Sequence, residues 1–160
     1  KDVHEEQFVT RYYTEKMRGN YSEREDAFYF GYFVHLLTDK FWASKIVYGA
    51  KEKLSDLFEQ DNTSFWKTVK RDWYDLDFLY LKKYPEFEAF RIYEGINEFK
   101  NTYLDFFAED AFEQRKKFIV EFYRKGVETM EERETYISPE ELDEFVERAV
   151  DGIIEAIKCI

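Results

Sequence analysis

The sequence predicts an all-α fold, a multi-helix bundle of about six helices, on three observations. Glycine and proline are scarce, with 6 and 2 copies in 160 residues. Nowhere is apolar and polar alternation sustained long enough for a sheet. Two segments open on paired start signals, Ser22 with Glu25 and Ser138-Pro139-Glu140-Glu141, in which a hydroxyl and an acid three residues on cap the helix reciprocally.

The elements follow in order. Residues 2–17 form a first helix, closed by Arg18-Gly19-Asn20. The second starts after Ser22 and runs toward Gly49; its middle, from Ala27 to Trp42, is apolar on nearly every side, which places it at the centre of the bundle. A short helix over 51–58 ends in Gln60-Asp61-Asn62, and Thr63 or Ser64 caps another that reaches Lys83. Pro85 interrupts there and is read as the first turn of a helix over 86–96. A helix over 101–125 closes at Gly126, and the last, from Pro139 to Ile157, carries Leu142, Phe145, Val146, Ala149, Ile153 and Ile154 at helical spacing. With no repeat or linker in view, residues 1–160 read as a single helical domain.

Composition sets the outer limits. Hydrophobic residues make up 44% and aromatic residues 21%, from 17 Phe, 13 Tyr and 3 Trp, so the core is built from rings. With 35 acidic against 24 basic residues the formal charge is −11, which disfavours nucleic acid as a bulk partner and suits metal cations. Every apolar run is broken by charge, so no membrane span is expected. Cys159 is the lone cysteine; it excludes an intrachain disulfide and points to a reducing, cytoplasmic compartment. The chain opens at Lys1 rather than Met, already in helical pattern, so a native N-terminal segment is expected upstream.

The chemistry-bearing candidates are few. The two histidines are His4 and His35. His35 and Asp39 lie four positions apart, about 6 Å along a helix axis and on one face, and imidazole plus carboxylate is an ordinary ligand pair for zinc, iron or manganese. Asp39 lies between Leu37 and Phe41, where a buried, unpaired carboxylate would be costly, so a cation is one solution. A His–Asp hydrogen bond on a helix is the plain alternative, and His4 before Glu5 and Glu6 is equally at home in a solvated first turn. Asp72, Asp75 and Asp77 read as a solvated acidic face, and Cys159 as an inert thiol. Gly-rich phosphate loops, nucleophile elbows, adjacent His-Asp pairs and CxxC pairs are all missing from the sequence.

The segment Gly31-Tyr32-Phe33-Val34-His35-Leu36-Leu37-Thr38-Asp39, followed by Trp42 and preceded by Lys1-Asp2-Val3-His4 and Phe8, resembles the bacterial zinc-dependent phospholipase C-like family. The resemblance covers about the first third of the chain. It implies a helical phospholipase C and nuclease-like fold in which His4, His35 and Asp39 hold zinc or a similar divalent ion, with a further His and Asp expected before Lys1. In the well-studied phospholipases C and single-strand-specific nucleases another His and a His-x-x-x-Glu follow and complete a three-metal site, whereas this chain has no histidine after His35. The implied site therefore holds one or two ions. The sequence reads as a metal-dependent hydrolase acting on a small-molecule or lipid phosphoester, with metal-activated water as nucleophile. The competing reading is a non-enzymatic helical module with a vestigial or structural metal site, whose acidic faces meet a basic partner.

Overall fold

The computed structural model describes residues 4–126, 136–158 and 160. Lys1, Asp2, Val3 and Cys159 lie outside the described residues. Among the described residues there is no strand, and no helix is long and apolar enough to cross a membrane. The helices are α1 (Glu5–Tyr12), α2 (Glu15–Arg18), α3 (Glu23–Trp42), α4 (Tyr48–Lys53), α5 (Ser55–Gln60), α6 (Asn62–Lys83), α7 (Glu88–Gly95), α8 (Ala111–Lys125) and α9 (Pro139–Ile157). A π-helical stretch, Ala43–Val47, joins α3 to α4. The chain divides into two compact units, one running to Asp61 and resuming at Ile137–Ile160, the other Asn62–Tyr136.

In the first unit α1 and α9 pack on α3. Tyr29, Phe33 and Leu37, spaced four apart, form its buried stripe. Phe8 is fully buried, its ring centroid 5.0 Å from that of Tyr32 and 5.4 Å from that of Tyr12. The expected helix over 2–17 is two helices: Tyr13 leaves helical geometry at φ −142° to bury its ring, and the Thr14 hydroxyl accepts from Met17 N–H to start α2. Both capping boxes form as expected, at Ser22 and at Ser138. From α9, Phe145 sets its ring edge-on to Trp42 at 5.3 Å.

In the second unit α6 buries Phe65, Val69, Asp72 and Leu76, a single face at i, i+4, i+7 and i+11. Two boundaries differ from expectation. Pro85 occupies the second position of a turn closed by Phe87 N–H to Tyr84 C=O at 3.0 Å, so α7 begins at Glu88. The helix expected over 101–125 starts at Ala111, because the Asn101 side chain organises the preceding segment as a loop. Its amide donates to Leu104 C=O at 2.7 Å and Phe107 C=O at 2.9 Å, and its carbonyl accepts from Tyr103 and Leu104 N–H. These two shifts shorten helices; the break at Tyr13 and the division into α4 and α5 at Leu54 raise the number of helices above the six or so expected. Lys116 then caps the C-terminal carbonyls of α7 at Glu94 and Ile96, and Arg124 grips the Glu94 carboxylate with two nitrogens.

Candidate metal centre

The capping box at Ser22 fixes where α3 starts; 100° per residue then decides which side chains face inward. His35 lies two residues beyond buried Phe33, and Asp39 two beyond buried Leu37, each about 200° around the axis from the core-facing residue. Both side chains therefore point outward, 58% and 65% exposed, with His35 Nε2 and Asp39 Oδ2 3.5 Å apart. The expectation that Asp39 is threatened by burial is corrected on this point. Its carboxylate is open to solvent, so burial gives no reason for a cation there.

Tyr32 completes the local surroundings. Its ring stands edge-on to His35 at 5.8 Å, and its phenol is held above the ordinary tyrosine range, first by burial and then by the Asp39 charge. Gly31 has open space where a Cβ would stand, so nothing in the described residues requires glycine at that position of the motif.

His4 is the N-cap residue of α1, exposed, and its side chain makes no capping hydrogen bond. The Glu5 carboxylate next to it pairs with Lys40, and that pairing is the largest cause of a Glu5 pKa below the usual carboxylate range. The start of α1 is thereby pinned to the turn of α3 just past Asp39. Even so, among the described residues no group of three His, Cys, Asp or Glu side chains is placed to hold a metal ion. His35 and Asp39 stand together, and His4 is not gathered with them. Such a pair can supply two donors to a divalent ion and leaves its other positions to water or a further ligand.

The acidic residues of α6 are not the solvated face that the sequence suggested. Asp72 is 3% exposed, and its Oδ2 accepts the Tyr136 N–H at 3.1 Å. Asp77 accepts the Tyr123 hydroxyl at 2.5 Å. Their positions relative to Val69 and Leu76 carried the signal: residue 72 shares the apolar stripe, so its carboxylate is drawn inward with it.

The chain matches no protein-family model, and comparison with the curated proteins and with the solved structures found no match.

Proposed function

We propose that this protein is a helical binding module whose exposed His35–Asp39 pair takes up one zinc or similar divalent ion, and that the ion's open positions recruit a ligand from outside the chain. The observation that carries the reading is the 3.5 Å separation of Nε2 and Oδ2 on a capped, regular helix, with both groups accessible. The Gly-Tyr-x-x-His-Leu-x-x-Asp pattern around the same pair supports metal uptake, as the resemblance implies. A net charge of −11 suits a basic protein as the partner that the ion and the acidic surface would hold together.

Hydrolysis of a phosphoester is the second reading, and one observation favours it. The Glu5–Lys40 pair keeps His4, adjacent to Glu5, at the Asp39 end of α3, within the part of the molecule from which a third ligand would come. With that ligand in place, the ion would polarise a phosphoryl oxygen and supply hydroxide from bound water.

Calorimetric titration of the metal-free chain with Zn²⁺ tests both. One ion per chain is expected, with His35→Ala and Asp39→Asn each weakening uptake by more than about tenfold, the lower end of what loss of even an outer-shell partner costs. Turnover of bis(p-nitrophenyl) phosphate or a short-chain phosphatidylcholine by the zinc-loaded chain, abolished by His4→Ala, would select hydrolysis. Zinc uptake without turnover supports the module. Absence of uptake, or uptake indifferent to His35→Ala, overturns both.

A further inference from the structure

The cleft along α6 has a composition at odds with the rest of this acidic chain. A cavity of about 390 Å³ is lined by Ser64, Lys67, Thr68 and Arg71, at i, i+3, i+4 and i+7, and by Asp72 and Asp75, so two cations, two hydroxyls and two carboxylates meet along the helix. Tyr136 forms another part of the wall, its backbone N–H anchored on Asp72. Lys67, Arg71 and Asp75 also line a second cavity of about 480 Å³, so the two are parts of one cleft. The second part adds Lys70 and the rings of Tyr74, Phe78 and Phe122, with Phe122 4.9 Å from Tyr74 and 5.4 Å from Phe78 between centroids. Lys67 and Arg71 thus line both parts, beside the hydroxyls and the Asp72 and Asp75 carboxylates in the first and beside three rings in the second.

Arg91 pairs with Glu86 and Arg124 with Glu94 in the same unit, whereas among the described residues Lys67 and Arg71 enter no ion pair. In a protein of charge −11, two such cations facing a cleft are poorly explained as general solubilising charge. A guanidinium offers a planar fork to a carboxylate or phosphate, and an ammonium adds a point charge beside it. Asp72 and Asp75 line the same cleft and restrict it: a single compact head group fits beside those carboxylates better than a chain of phosphates. The volumes lie in the range of small-molecule sites.

We propose that the α6 cleft binds an amphiphilic anion, a carboxylate or phosphate monoester on an apolar body, with the head on Lys67 and Arg71 and the body against Tyr74, Phe78 and Phe122. This site shares no residue with the His35–Asp39 pair.

Calorimetry of the full chain with decyl phosphate and with decanoate, each below its micelle-forming concentration, tests the assignment, with decanol and inorganic phosphate as comparison arms. One molecule per chain should bind, with decanol and inorganic phosphate at least about tenfold weaker, a factor set by about 1.4 kcal/mol of lost contact. Preference for decyl phosphate or for decanoate distinguishes the two head groups. Arg71→Ala and Lys67→Ala should each weaken binding by a similar factor, while Lys82→Ala on the same helix and His35→Ala leave it unchanged, all with unaltered helical circular dichroism. Equal binding of decanol, equal binding by the Arg71 and Lys67 variants, or no binding of either anion overturns the proposal.

Discussion

Asp77 and Tyr123 share a hydrogen bond in the second unit, and burial perturbs both. Burial holds the Asp77 carboxyl above its ordinary range, and the hydrogen bond from Tyr123 offsets this only in part. The Tyr123 phenol is pushed far above the tyrosine range, first by burial and then by Asp77. A carboxyl whose folded-state pKa is raised contributes stability below its unfolded value of 3.8, and that contribution is lost as pH rises through the folded value. Asp77→Asn keeps an acceptor for the Tyr123 hydroxyl and cannot ionise. Relative to wild type it should therefore fare better at pH 7 than at pH 3, where the carboxyl is largely protonated in both states. Urea midpoints at the two pH values measure this, and an equal difference at both would show that desolvation of the charge is not the cause. His35 and Asp39 show what single residues concede to the sequence reader. Their spacing was legible because it is a property of the helix alone. Their exposure was not, because Phe28, Phe30 and Tyr32 made α3 look apolar all round, and only packing on α1 and α9 selects Tyr29, Phe33 and Leu37 as the inner stripe.

At the scale of elements, local chemistry was legible and competing local chemistry was not. Ser22 and Ser138 could be read because a capping box needs only residues three apart. The segment ahead of α8 was misread because its residues tolerate a helix and a single side chain overrides them. Asn101 is 8% exposed, and its backbone N–H also donates to Glu109 C=O at 2.7 Å, closing the loop on itself. Asn101→Ala removes both side-chain donors and the acceptor and leaves the Leu104 and Phe107 carbonyls to find other partners. A cost of about 2–3 kcal/mol is expected from bonds worth about 1 kcal/mol each plus incomplete resolvation. Chemical denaturation gives the loss, and hydrogen exchange should show the Tyr103 and Leu104 amides deprotected while those of α9 keep their protection. A change under about 0.5 kcal/mol, typical of an unremarkable surface site, would mean that the loop is held by its apolar residues such as Leu104.

At the scale of the molecule, the first unit is built from segments far apart in sequence. Arg18 donates to the Ile160 carbonyl at 2.8 Å and lays its guanidinium over Tyr13, while α9 supplies Phe145, Ala149 and Gly152 to the side of α3 that bears Phe41 and Trp42. The amphipathic spacing of α9 was legible, but nothing in its residues says which helix it meets. Gly152 reports on that meeting directly. A Cβ built there would lie 2.5 Å from the tip carbon of the Phe41 ring, closer than such atoms approach without something shifting. Two effects therefore oppose each other in Gly152→Ala. Helix propensity favours alanine by about 1 kcal/mol, and overpacking costs about 1–3 kcal/mol. With the ring partly buried and not free to leave without exposing apolar surface, the second should win, giving a net loss of about 1–2 kcal/mol. Removing the ring removes the obstacle, so in a Phe41→Ala background the same substitution should become stabilising by up to about 1 kcal/mol. A double-mutant cycle on urea midpoints reads the coupling as this change of sign. Gly152→Ala stabilising in both backgrounds would mean that α9 does not press on Phe41, and with it would go the closure of the first unit by the distant end of the chain.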